Sequence, residues 1–245
     1  MLSNFQTNTL AERFVNAYNQ LDHSLRTQYN FKTNISFSDL IRRCATLNQV
    51  IRAYEDDLID LARLRNAIIH SRSEQVIAEP HEDIVQLIEK VARIISTPPL
   101  VADAIKSVNV ASISCDSVLR DYIIMSSTRG HSNIPVYKRD MLIGVMQRHT
   151  FLEILGRNLA EDKVKSIDKY VMETTLEQFL KDNNTTTHHF TIVSQNATIE
   201  QVIELFSNRK LSAVIITNDG TSGGKLLGIV TTADIVDLMQ ILEGY

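Results

Sequence analysis

Apolar residues in the first hundred positions recur at steps of three and four. Leu10, Phe14, Tyr18, Leu21 and Leu25 form one such stripe. Leu40, Cys44, Leu47, Ile51, Tyr54, Leu58, Leu61, Leu64 and Ile68 form a longer one, which predicts either one bent helix or two. Pro80 is placed to start a further helix carrying Ile84, Ile88, Val91 and Ile95. The expectation for this part is an α-helical bundle of three to five helices. Beyond it the period changes. Ser132–Tyr137 and Met141–Gln147 read as two short strands joined at Lys138-Arg-Asp140, and Ser212–Thr217 and Leu226–Thr231 read as a second such pair turning at Asn218-Asp-Gly220. Each hairpin follows an amphipathic helix, near 117–127 and 198–208, and precedes another. The C-terminal part is therefore an internal repeat of β-α-β-β-α type, and the predicted class is α+β.

Turn-formers place a boundary between the two parts. All eight glycines lie at or after Gly130, and the single Pro-Pro step falls in Ser96-Thr-Pro-Pro-Leu100. We divide the chain at 1–96 and 97–245, with repeats at about 100–160 and 166–245. Charge changes the picture little: residues 1–96 carry a net −1 and the rest −3, within a total of −4, so neither part has the basic excess of a general nucleic-acid binder. No run of about 18 apolar residues and no leader-like start is present, so the expectation is a cytoplasmic protein without a membrane span. Cys44 and Cys115 lack metal-ligand or disulfide spacing and read as ordinary thiols. His188-His189 lacks a third ligand at helical or strand spacing, so no metal is expected. Asp219-Gly-Thr-Ser-Gly-Gly-Lys225 lacks the order of a phosphate loop and joins two strands, so it reads as a hairpin loop.

Candidate chemistry concentrates where the last predicted strand hands over to a helix, Leu227-Gly-Ile-Val-Thr231-Thr-Ala-Asp234. A helix start offers free N–H groups and a positive dipole end to phosphate, while Thr231 and Asp234 add a hydroxyl and a carboxylate for a ribose diol. The same Thr-x-x-Asp spacing approximates a capping box, which requires no ligand, and the two readings are compatible.

The order of elements together with the repeated Gly-h-h step resembles a tandem pair of cystathionine-β-synthase (CBS) domains over residues 100 to 245. That resemblance implies a regulatory adenine-nucleotide ligand (AMP, ADP or ATP) held by Thr231 and Asp234. It adds Ile192, Val193, Ala213 and Val214 as apolar walls for adenine. The upstream copy has Gln147 and Thr150 in place of Thr231 and Asp234, so its cleft lacks the ribose acceptor and is expected to be empty or used differently. Arg148 and His149, between them, are candidates to reach phosphates in the sister cleft, or else simply open a helix. In the first part, Arg65-Asn66-Ala-Ile-Ile-His70 near the end of a predicted helix resembles the Arg-x4-6-His signature of the HEPN superfamily (higher eukaryotes and prokaryotes nucleotide-binding domain), whose active members cleave RNA across a homodimer without metal. The resemblance makes Arg65, Asn66 and His70 catalytic candidates: guanidinium suits a phosphate gaining charge, and histidine titrates near neutrality. Residues five apart on one helix point about 140° from each other, so Arg65 and His70 need a partner chain or a helix end to converge. The leading expectation is a homodimeric, nucleotide-sensing regulatory protein. The alternatives are a nucleotide-gated ribonuclease, the one reading in which RNA is a partner, and a ligand-free interaction scaffold.

Overall fold

The computed structural model describes residues 9–69, 78–105, 110–183, 189–208 and 210–245. Two compact units are present, Met1–Pro99 with Leu242–Tyr245, and Leu100–Ile241. In the first unit the described helices are α1 (Leu10–Gln28), α2 (Phe37–Ala45), α3 (Gln49–Ala53), α4 (Glu55–Ile69) and α5 (Glu82–Ser96). Helix α1 starts where the sequence places its stripe, because Thr9 and Glu12 form a capping box: the Glu12 N–H donates to Thr9 Oγ1 at 3.2 Å and the Thr9 N–H to Glu12 Oε2 at 2.9 Å. Its apolar face, Phe14, Tyr18, Leu21 and Leu25, is buried against Val85, Ile88 and Val91 of α5 and Leu40, Ile41 and Leu58 of α2 and α4.

Two details depart from the periodicity. The stripe from Leu40 to Ile68 is broken twice and makes three helices. Asn48, buried, starts α3 by accepting the Ile51 N–H on Oδ1 at 2.8 Å, and this short side-chain cap competes successfully with continuation of the helix. The break also turns Leu47 outward, 54% exposed, although its spacing assigns it to the core. Pro80 lies before the N-cap His81 instead of in the first turn of α5, which begins at Glu82.

Helices α1 and α5 are also joined at their polar edges. Arg13 donates from Nε and Nη2 to the two oxygens of Glu89 at 2.9 and 2.8 Å, and from Nη1 to Glu82 at 3.0 Å. Hydrogen bonding from Arg13 lowers the titration of both glutamates below the ordinary range. Because their folded values lie below the unfolded ones, this stabilisation is in place above the ordinary glutamate range and is lost as pH falls through the depressed values. Arg13→Ala is therefore expected to lower the melting temperature at pH 7, and by less as the pH is taken below the ordinary glutamate range, as read by circular dichroism over a pH series.

The second unit holds two three-stranded sheets of identical plan. In the first, β1 (Ile113–Ser114) runs parallel to β2 (Asn133–Lys138), which is antiparallel to β3 (Met141–Gln147). In the second, β4 (Phe190–Ser194) runs parallel to β5 (Ala213–Thr217), which is antiparallel to β6 (Leu226–Thr231). The registers agree closely: Val136 pairs with Gly144 and Ile216 with Gly228, and each pairing is followed by a bulge. Helices α7 (Leu119–Arg129) and α8 (Arg148–Ala160) flank the first hairpin, and α11 (Ile199–Asn208) and α12 (Ile235–Gly244) the second. Leu142, Val145 and Ile215 form a core between the two sheets with Tyr137, Phe190, Ile192, Leu226 and Ile229 around them.

Three helices have no counterpart in the sequence reading: α6 (Val101–Ala104), α9 (Ile167–Glu173) and α10 (Leu176–Asp182). Helices α6 and α10 exchange places between the repeats. The segment leading into the first repeat docks on the second, with the Val101 N–H donating to the Ala197 carbonyl at 2.9 Å; the segment leading into the second docks on the first, with the Leu176 N–H donating to the Ser117 carbonyl at 2.9 Å. This exchange explains the glycine in each strand. A Cβ on Gly144 would stand 2.9 Å from Leu180 of α10, and one on Gly228 would stand 2.7 Å from Ile105, just after α6.

Candidate nucleotide cleft

The second hairpin ends on Thr231, and a single 3-10 turn, Thr232–Asp234, passes the chain into α12. The turn is held as its spacing predicts. Both the Thr231 N–H and its hydroxyl donate to Asp234 Oδ2, at 2.7 and 2.8 Å. Beside it opens a cavity of about 550 Å³. Its walls are Ala104 and Ile105 from the α6 segment, Ile229 and Val230 from β6, Asp234 from the turn, and Asp237, Leu238, Gln240 and Ile241 from α12. A concave space of this size, lined by apolar side chains together with Asp234, Asp237 and Gln240, has the character of a small-molecule site. Among the described residues Asp234 Oδ1 has no protein donor, so the carboxylate keeps an acceptor for a hydroxyl pair while its other oxygen fixes the backbone.

Gly228 couples this cavity to the exchanged segment. Gly228→Ala is expected to displace Ile105, whose Cδ1 and Cγ2 lie 2.7 and 2.8 Å from the added carbon, and so to weaken ligand binding. Gly156→Ala on α8 is the control, because an added carbon there meets nothing within 4 Å. Calorimetric titration of both variants with AMP checks the difference.

The corresponding place in the first repeat is filled. Thr150 Oγ1 donates to Gln147 Oε1 at 2.9 Å, which repeats the 231–234 link without a carboxylate. Val145, Phe151, Phe179 and Leu180 leave only about 10 Å³ there. Arg148 is engaged elsewhere: Nε donates to Ser126 Oγ at 3.1 Å, and Nη2 to the carbonyls of Ser126 and His131 at 2.9 and 3.2 Å, so it closes the C-terminal end of α7. His149 is exposed beside Glu153 at 3.4 Å. Neither residue lines the larger cavity. Ile192, Val193, Ala213 and Val214 also lie outside its walls; Val214 pairs with the lining residue Val230 across the sheet, and Ile192 faces the inter-sheet core. Of the wall residues sequence reasoning named only Asp234; the others come from the exchanged segment, from Ile229 and Val230 of β6, and from α12, where Asp237 adds a carboxylate. A second carboxylate three residues after Asp234 was the one signal available for them.

In the helical unit, the Arg65 guanidinium lies 5.6 Å from the centroid of the Tyr18 ring, and Nη1 donates to Asn66 Oδ1 at 3.4 Å. Burial pushes the Tyr18 hydroxyl up to about 12. His70 lies outside the described residues, as does His188; His189 is exposed. Among the described residues one group has metal-type ligands close together, Cys115, Asp116 and Glu177. Lys138 already pairs with Glu177 at 2.7 Å, and burial raises the Cys115 thiol, which favours its protonated form. No helix among the described residues is long and apolar enough to cross a membrane.

Residues 185–241, which hold the second sheet, the Thr231–Asp234 turn and most of the cavity wall, match the CBS domain family; this segment is a CBS domain. No characterised protein sequence matches the chain. Solved structures similar to it include the CBS domain of a CBS-domain-containing membrane protein from Sphaerobacter thermophilus, 17% identical over 57% of this chain and 87% of that one, TM-score 0.44. Others are CBSX2 in complex with AMP (17%, 59% and 98%, TM-score 0.44) and the CBS domain of a bacterial CNNM/CorC family Mg2+ transporter in complex with ATP (18%, 66% and 98%, TM-score 0.45).

Proposed function

We propose that the chain is an adenine-nucleotide-sensing regulatory protein, in which a tandem CBS pair takes AMP, ADP or ATP in the cavity beside Asp234 and a HEPN-like helical domain acts as a homodimeric effector. The observation that carries the reading is the Thr231–Asp234 link at the edge of a cavity of about 550 Å³, within the residues that match the CBS family. Apolar walls suit a purine face, and the carboxylate suits a ribose diol. The first repeat, with Gln147 and Thr150 and about 10 Å³ of space, supports a single site per chain.

Coupling follows the chain. Ala104 and Ile105 line the cavity, and the segment that carries them comes directly after Pro98 and Pro99. A ligand that orders this segment alters what the stiff Pro-Pro step transmits to α5, and its leverage equals its differential affinity for the two arrangements. The proposal does not extend to RNA cleavage: Arg65 stacks on Tyr18 and bonds to Asn66, and the helical part has no basic excess. Two observations test the reading. Heat-released supernatant of the purified protein should contain an adenine nucleotide by chromatography, and the full chain should sediment as a dimer. A folded monomer at high concentration contradicts the effector part, and a nucleotide-free protein whose melting temperature no adenine nucleotide raises contradicts the sensor part.

A further inference from the structure

We propose that the cavity selects adenine compounds by charge, favouring adenosine and AMP over ADP and free ATP, and that Asp237 sets the selection. The inference rests on the adenine-nucleotide reading above and deepens it. Two carboxylates, Asp234 and Asp237, line the cavity one helical turn apart, and the other described lining residues are apolar except Gln240. No described lining residue is a cation. Arg148, the one arginine that the sequence places as a phosphate contact, spends its donors on the end of α7.

Electrostatics then orders the ligands. The start of α12 contributes about half a positive charge, and two carboxylates outweigh it. Asp234 is committed to the turn and to the ribose. Asp237, in the first turn of α12, stands at the same cavity, so each added phosphate meets a second carboxylate that no described lining residue neutralises. Asp237 is exposed, and water screens the repulsion, so the effect is graded. Roughly 0.5 kcal/mol for each additional phosphate charge at about 8 Å in water sums to about 1 kcal/mol, or about fivefold, between AMP and ATP.

The test is calorimetric titration of the full chain with adenosine, AMP, ADP and ATP in EDTA, at about 20 and 300 mM salt, with Asp237→Asn in parallel. Expected is weakening from AMP to ATP by about fivefold at low salt, a smaller gap at high salt as repulsion is screened, and a gap cut to about twofold in Asp237→Asn. ATP binding as tightly as AMP at low salt, or a gap that Asp237→Asn leaves intact, overturns charge selection and leaves the adenine reading standing. Failure of all four compounds to bind a folded protein overturns that reading, and this inference with it.

Discussion

Asp234→Ala is expected to lose adenine-nucleotide binding, with affinity falling about a hundredfold or more, while Thr150→Ala leaves it within about twofold. The size follows from what the carboxylate does. Hydrogen bonds from a ribose diol to an ionised acceptor are worth about 1.5–3 kcal/mol each, and two such bonds exceed the roughly 2.7 kcal/mol of a hundredfold change. The substitution also frees the Thr231 N–H and hydroxyl, which now donate to Oδ2. A lost cap costs about 1 kcal/mol, so the melting temperature should fall slightly and the fold should persist. Asp234→Asn separates the two effects, since it keeps one acceptor oxygen for the turn but removes the charge. Full affinity in a folded Asp234→Ala protein would place the ligand elsewhere.

A second large effect is expected at Phe179. Its ring is buried in the first repeat, 5.7 Å from Phe151, and it fills the place that corresponds to the open cavity of the second. Phe179→Ala should cost about 3–5 kcal/mol in chemical unfolding, through lost burial and the void left behind. The functional expectation is sharper. The new space faces Gln147 and Thr150, with no carboxylate, so the variant should still bind one nucleotide per chain. A second equivalent of AMP bound by Phe179→Ala would show that steric filling alone, and not the missing acid, keeps the upstream cleft empty.

The secondary structure was legible in the sequence wherever one local signal governed it. The limits of β3 and β6 coincide with the predicted runs at Met141–Gln147 and Leu226–Thr231, because bulged hairpins with polar turns announce both ends. Helix α1 was equally plain, since stripe and capping box agree. The breaks within Leu40–Ile68 were not, because a periodicity of 3.6 continues through a short gap when the next helix resumes in phase. Only the small cap at Asn48 marks the first break. Helices α9 and α10 were missed because each is only about two turns long, too short for a 3.6-residue period to show.

The cavity was legible only in part. Thr231 and Asp234 lie three residues apart and meet through a local turn, which spacing predicts. Ile105 comes to Gly228 from more than a hundred residues away, by the exchange of leading segments, and a single sequence contains no trace of that contact. The same limit applies to Cys115 and Glu177, which are brought together by the docking of α10 on the first repeat. At Arg148 the sequence left two roles open, a phosphate contact or the opening of a helix. A cation next to a presumed phosphate site invited a ligand role, while the carbonyls at the end of α7, equally in need of a donor, lie about twenty residues earlier and were not visible as competitors.

The most direct measurement is isothermal titration of the full, unmodified chain with AMP, followed by the same titration of Asp234→Ala. The account predicts saturable binding with a stoichiometry of about one per chain, absent from the variant. Two equivalent sites per chain, or no binding by a folded protein from which any co-purified nucleotide has been removed, would contradict it.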